Sequence, residues 1–327
     1  MILVTGANGL LGSFICKELL NSSIAFKALV RHGSDLTLLK SVPEERFVYA
    51  DILDEEAMDE IMKQVEYVIH SAAIISFYQE DKDLMYRVNV LGTRMLINLA
   101  LKHKIKHFVH ISSVAALGRP TSSGVIDEKS KWVDSKWNNN YGESKYMAEI
   151  EVWRGLEENL KTVIINPSLV LGPGDWNRSS TRLFKYVWDE KKHYLNGRLN
   201  YVDARDVARI VKEVSAKELT GERYIVSAGD LSYLKFFQLV AKKLGRKAPY
   251  KQVGNFGIFM VLVLGKLLSV LTGKRPLVTK ESIKSASTQI SFSNAKIKNE
   301  LNFNFTTLEE TIEWTCKSFL NKYAPSK

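Results

Sequence analysis

Met1-Ile2-Leu3-Val4-Thr5-Gly6-Ala7-Asn8-Gly9-Leu10-Leu11-Gly12 opens the chain. A short apolar run breaks into three glycines spaced Gly-x-x-Gly-x-x-Gly. The run fits a buried parallel strand, and the glycines fit the sharp turn that feeds the next helix. Glycine admits dihedrals that other residues avoid. It also lets a pyrophosphate approach backbone N–H groups at a helix N-terminus. Ser13-Phe14-Ile15-Cys16-Lys17-Glu18-Leu19-Leu20 continues with helical periodicity.

Apolar strand candidates alternate with helical stretches through the first half. They are Phe26–Val30, Phe47–Ala50, Tyr67–His70, Phe108–Ile111 and Val163–Asn166. Helical patterns separate most of them, notably over 80–102 and 142–158. This alternation implies right-handed crossovers and a parallel sheet covered on both faces. The expected fold is α/β, a Rossmann-type doubly wound sheet with a smaller, interleaved C-terminal substrate-binding lobe. Residues 1–166, with about 197–227, form the dinucleotide-binding domain; 167–196 and 228–327 form the lobe. Pro167–Asn177 reads as loop, 179–195 as an aromatic helix, Leu199–Asp203 as strand and Tyr224–Val226 as a return to the main sheet. Ligands of such sheets bind outside the carboxyl ends of the strands.

The 327 residues include 46 basic and 36 acidic ones, a net charge of +10. Lysines occur throughout most of the chain, with no arginine-rich block or basic tail. Solubility is the first reading of the charge; an anionic ligand or a membrane surface is the second. No nucleic-acid signature accompanies it. The two cysteines, Cys16 and Cys316, form no metal or disulfide pattern. A first strand starting at residue 1 leaves no room for a signal peptide, so a reducing, cytoplasmic compartment is expected. Phe256–Leu271 is strongly apolar but interrupted by Lys266. A span needs roughly 20 apolar residues. A buried or pocket-lining helix is the first reading, and peripheral membrane contact or a mouth for an apolar substrate the second.

Tyr141-Gly142-Glu143-Ser144-Lys145 puts a phenol and an ammonium at i and i+4, on one helix face. A cation near a phenol lowers its pKa from ~10 toward working pH. Such a pair can exchange a proton with a carbonyl or alcohol. Ser112-Ser113 follows the strand ending at Ile111, where a hydroxyl projects from a carboxyl end. The glycine turn, the serine and the Tyr-x-x-x-Lys pair stand in the order that a hydride-transfer site requires.

With these residues together, the chain resembles the extended short-chain dehydrogenase/reductases (the NAD-dependent epimerase/dehydratase family) over nearly its whole length. Thr5–Gly12 matches the family's TGxxGxxG turn. Asp51-Ile52-Leu53-Asp54 is similar to its adenine-contacting element, His70-Ser71-Ala72-Ala73 to its HxAA, and Val88-Asn89-Val90-Leu91-Gly92-Thr93 to its VNVxGT helix. Asn166-Pro167-Ser168-Leu169-Val170-Leu171-Gly172-Pro173-Gly174-Asp175 resembles the loop at the nicotinamide amide, and Tyr201–Ala208 the later (H/Y)VxDVA segment. The resemblance implies Tyr141 as acid/base, Lys145 as the group that tunes it and holds the nicotinamide ribose, and Ser113 as the group orienting the substrate oxygen. Gly118, five residues after Ser113, supports that alignment. The implied cofactor cradle is Gly6, Asn8, Gly9, Leu10, Leu11, Gly12, Arg31, Asp51, Ile52, Ser71, Ala72, Ala73, Asn89, Ser112, Tyr141, Lys145, Pro167, Ser168 and Val170, with no metal. Other readings stand beside these. Asp51 also suits a helix start, His70 a packed histidine and Asn89 a core hydrogen-bonder.

The second strand ends Val30-Arg31-His32-Gly33-Ser34-Asp35. Arginine there accepts a 2′-phosphate, whereas NAD sites place an acid there. NADP(H) is therefore favoured, with NAD(H) left open through Asp35. Val114-Ala115-Ala116 replaces the Asp-Glu pair of the family's dehydratases, which argues against elimination chemistry. The remaining traits look closest to dihydroflavonol-4-reductase-like and 3β-hydroxysteroid dehydrogenase-like members. The expected reaction is reversible hydride transfer to the carbonyl of a small apolar or aromatic substrate. A nucleotide-sugar 4-epimerase with tightly held NAD is the alternative, and a non-catalytic dinucleotide sensor a third. A homodimer is also implied, since the family often pairs through helices flanking the active-site strand.

Overall fold

The opening run forms a strand, Ile2–Thr5 (β1), buried at every position. That is the pattern of a parallel strand covered on both faces. A computed structural model describes residues 1–273, 275–276 and 278–323. Six further strands join β1: Phe26–Val30 (β2), Phe47–Tyr49 (β3), Tyr67–His70 (β4), His107–Ile111 (β5), Thr162–Pro167 (β6) and Glu222–Val226 (β7). Their order is β7-β6-β5-β4-β1-β2-β3, and every pairing is parallel. The fold is the expected Rossmann-type α/β sheet. The chain reverses direction across the sheet between β1 and β4, and that switch point opens a crevice at the carboxyl ends.

Helices cover both faces. On one, Leu10–Asn21 (α1) and Ala204–Ala216 (α5) pack Ile15 and Leu19 against Val207, Val211 and Val214. On the other, Glu55–Met62 (α2), Gly92–Lys102 (α3) and Asn140–Glu157 (α4) contribute Met58, Met62, Leu96 and Val152. The stretch 80–102, expected as one helix, is broken: Tyr86–Leu91 makes a π-turn between Lys82–Met85 and α3. Such turns add a residue to the helical repeat and re-aim side chains.

The lobe differs from the expectation in three ways. Leu169–Leu171, read as loop, is a strand. It pairs with Arg198–Asp203, which in turn pairs with Gly229–Ser232 in a separate three-stranded sheet. Residues Arg198–Asp203 therefore belong to this small sheet, and the chain rejoins the main sheet's layers only with α5. The aromatic helix read over 179–195 is confined to Arg182–Trp188. It packs Phe184 with Trp176, Phe236 and Phe319, the last two from Tyr233–Leu244 (α6) and a C-terminal helix, Leu308–Tyr323. The apolar stretch forms a helix, Asn255–Thr272 (α7), but the buried reading fails. Phe256, Phe259, Met260, Val261, Val263, Leu264 and Leu271 are all exposed. Among the described residues no helix is long and apolar enough to cross a membrane.

Candidate active site

The glycine turn is shaped by close approach. Gly6 has φ +65°, and a Cβ there would lie 2.7 Å from the backbone of Ala72. A Cβ on Gly12 would lie 2.1 Å from the Gly6 carbonyl oxygen, so the third glycine seats α1 on the turn. Gly9 is different: it is exposed, and its side-chain position meets only the Gly6 oxygen, at 3.2 Å. Beyond it lies open space in front of α1. No side chain caps α1 at Gly9. The first N–H groups of such an uncapped helix, here those of Leu10 and Leu11, lack intrahelical partners and can donate to an anion. Asn8, Leu10 and Leu11 are partly exposed around it.

Arg31 follows β2 at the outer end of the crevice. Its guanidinium lies 3.7 Å from Asp51 Oδ2, both groups solvent-exposed. Asp51 Oδ1 accepts from the Leu53 N–H at 2.9 Å, and Ile52 beside it is buried. The structure thus brings together the two residues expected at the adenosine end.

At the centre, His70 is a packed histidine. Its ring bonds Thr5 Oγ1 at 2.8 Å and Thr93 Oγ1 at 2.9 Å, and burial pushes its pKa down to about 3. Thr5 Oγ1 also accepts from the Ala72 N–H, which holds Ser71, Ala72 and Ala73 over the glycine turn. Asn89 sits on the π-turn. Its Oδ1 accepts from the Ile74 N–H at 2.7 Å, and its Nδ2 donates to Ile74 O and Ser144 Oγ. It acts as a core hydrogen-bonder bracing the loop after β4 against α4.

The residues expected to react lie after the end of β5 and in the first turns of α4. Ser113 caps a short turn, its Oγ accepting from the Ala115 N–H at 3.2 Å. Asn139 caps α4, its Oδ1 accepting from the Gly142 N–H at 2.7 Å. Gly142 allows the two turns to touch, since a Cβ there would lie 2.8 Å from Ala115 O. This contact sets Tyr141 against Ser113. The Tyr141 phenol is buried, and burial pushes its pKa up to about 12, opposed by the Ser113 hydroxyl. The expected lowering by Lys145 is not seen. The Lys145 ammonium turns instead to the end of β5, donating to Ile111 O at 2.8 Å and lying 3.5 Å from His110 Nε2. Burial lowers its pKa to about 8, with Glu149 opposing. Burial thus favours the neutral phenol over the phenolate.

Sequence reasoning missed the brace behind these groups. Buried Asn166 donates to Ser113 O at 2.8 Å and to Glu149 Oε1 at 2.6 Å, and Glu149 pairs with Arg223 on β7. Three separate elements meet there, and no spacing in the sequence signals it. Trp132 stacks on Tyr146 at 4.6 Å beside a hollow of about 220 Å³ lined by Asn139, Asn140, Glu143 and Glu281.

A dinucleotide fits the crevice. Besides the glycine turn and the uncapped α1, Ser112 Oγ and Ser168 Oγ are buried with no protein partner. They follow β5 and β6, at the carboxyl edge where a polar ligand supplies the missing bonds. Pro167 ends β6, and Val170 is half-buried on the small sheet beyond it. Among the described residues no acidic, histidine or cysteine cluster suits a metal ion.

Comparisons with known proteins agree. Residues 2–227 match the NAD dependent epimerase/dehydratase family. A putative dihydroflavonol 4-reductase of Synechocystis is 29% identical over 316 residues, 94% of this chain and 91% of that protein. Cinnamoyl-CoA reductase 2 of Arabidopsis thaliana is 30% identical, covering 74% of this chain and 77% of its own. Among solved structures, gox2253 superposes with TM-score 0.83 at 28% identity over 100% of this chain and 99% of its own. The chain belongs to the NAD-dependent epimerase/dehydratase family of extended short-chain dehydrogenases/reductases.

Proposed function

We propose that the protein is an NADP(H)-preferring reductase of small apolar or aromatic carbonyl compounds, working reversibly as an alcohol dehydrogenase. The observation that carries this reading is the buried Tyr141 phenol held against Ser113, with Lys145 one helical turn further along α4. A bound nicotinamide dinucleotide supplies or accepts the hydride. Ser113 donates a hydrogen bond to the substrate oxygen and fixes it beside the phenol. Tyr141 delivers its proton to that oxygen as negative charge develops. A phenol held near pKa 12 keeps its proton until an oxyanion demands it. Lys145, ionised below about pH 8, supplies positive charge behind the site. Arg31 supports the NADP preference, since an exposed guanidinium suits a 2′-phosphate. The relatives named dihydroflavonol 4-reductase and cinnamoyl-CoA reductase favour a reductase over an epimerase. Two buried, free thiols fit a reducing cytoplasm.

The test is Tyr141→Phe, assayed by NADPH oxidation against a panel of aromatic aldehydes, ketones and sugar nucleotides. Loss of a positioned acid lowers kcat by about 10²–10⁴-fold, with NADPH affinity within a few-fold. Full activity in that variant rejects the assignment. NAD retained through purification, without NADPH consumption, identifies an epimerase instead.

A further inference from the structure

Individual lysines occur along the whole chain, but their excess does not. Residues 231–280 hold ten of the 46 basic residues and none of the 36 acidic ones. The remainder carries 36 of each, so the entire +10 resides in this segment. The same segment contains α7. None of the described side chains of α7 is buried; Ile258 and Leu262 are half-buried and the rest of its large apolar residues with a described side chain are exposed.

Scattered exposed apolar residues need no explanation; a contiguous patch does. Phe256, Met260, Val263, Leu264 and Leu271 follow the i, i+4, i+7 spacing of one helix face. Phe256 and Leu271, at its two ends, are 77% and 81% exposed. Lys251 precedes the helix and Lys266 lies within it; both are exposed, and neither forms an ion pair with a described residue. With 18 residues, α7 is about 27 Å long, short of the roughly 30 Å hydrocarbon layer, and it carries a lysine. An exposed apolar helix too short to span still gains by burying its apolar side chains where water meets hydrocarbon. The charge selects the partner. A second copy would set one positive segment against another, whereas an anionic lipid surface attracts it.

The chain beyond α7 returns to the mouth of the active site. Tyr78 Oη donates to Pro276 O at 3.0 Å, and Arg275 forms a two-bonded pair with Asp81, at 2.7 and 3.0 Å. Glu281 Oε2 accepts from the N–H of Asn140, the residue before Tyr141, at 3.0 Å. The exposed helix is thus tied to the loop after β4 and to the start of α4.

We propose that α7 docks in the headgroup layer of an anionic bilayer, its apolar stripe inserted and its neighbouring lysines on lipid phosphates. The active-site mouth then opens beside the membrane, where an apolar carbonyl substrate dissolves. That last step rests on the reductase reading; the docking does not.

The test floats the full chain with phosphatidylcholine vesicles, with and without added phosphatidylglycerol. The protein is expected to float with the anionic vesicles only, and less as salt rises. Leu264→Glu with Phe259→Glu is expected to abolish flotation. Lys251→Gln with Lys266→Gln is expected to weaken it about thirtyfold. A circular-dichroism melt checks that each variant is folded; all the substituted positions are exposed. Absence of flotation by the unaltered protein overturns the proposal, as does flotation unchanged in both double variants. A dimer by light scattering that Leu264→Glu converts to monomer, without flotation, overturns it in favour of a second copy. Turnover is not measured, so failure here leaves the reductase assignment standing.

Discussion

Replacing Gly142 by alanine would place a methyl group 2.8 Å from Ala115 O and 3.2 Å from Asn139 Oδ1. Two effects then oppose each other. In an open helix, Gly→Ala stabilises by about 1 kcal/mol through helix propensity. At this position the methyl must move away by about half an ångström to reach ordinary contact, and overpacking of this kind costs about 1–3 kcal/mol. Neither neighbour yields easily. Ala115 lies in the turn capped by Ser113, and Asn139 is anchored by the N–H of Gly142 itself. The expected net change is a loss of up to about 2 kcal/mol, read by urea unfolding. The catalytic effect is the sharper one, because Ser113 and Tyr141 stand on opposite sides of the contact. A misplacement of about 1 Å costs about 10²-fold, so half of that predicts roughly a tenfold fall in kcat. The glycine turn and Arg31 take no part in this contact, so NADPH affinity, measured by fluorescence, should stay within a few-fold. A variant both more stable and fully active would refute the claim that this contact sets the Ser113–Tyr141 geometry.

Other expectations follow from the same structure. Arg31→Asp should weaken NADPH far more than NADH in paired titrations; equal losses discard the 2′-phosphate assignment and leave Arg31 as a partner of Asp51. His70, with a folded pKa of about 3 against about 6.5 unfolded, binds its proton only in the unfolded chain between those values. Stability should therefore fall as pH drops below about 6.5, by roughly 1.4 kcal/mol per unit for one such group. His110, also driven well below its usual range by burial, adds to the slope. Urea midpoints at pH 7 and pH 5 check this, and a flat profile removes the premise that these rings are neutral when folded. Lys145, lowered to about 8, carries linkage of the same sign at higher pH: the cost of burying its charge is relieved as pH rises through 8, so stability should climb from there toward pH 10.5. Lys145→Met should abolish that rise.

Much of the molecule was legible because its signals are local. A strand of four buried residues, three glycines and a periodic helix declare themselves in twelve letters, since backbone dihedrals and close approach leave no other residue type for those turns. The alternation of strands and helices implied a parallel sheet covered on both faces, and the seven-stranded parallel sheet bears it out. The family motifs told where to look for Ser113, Tyr141 and Lys145, because each sits at a strand end or helix start that the sequence marks.

What the sequence alone could not decide is how distant groups share a dielectric. The phenol of Tyr141 was expected to be lowered by Lys145. Burial raises it instead, and the ammonium spends its bonds on Ile111 and His110. Asn166, Glu149 and Arg223 lie far apart along the chain and meet only when β6, α4 and β7 are assembled. The apolar run 256–271 has the composition of a buried helix, yet none of its described side chains is buried. Periodicity and composition report what a segment would bury. Which surfaces find a partner, and which charges are stripped of water, is settled only by packing the whole chain.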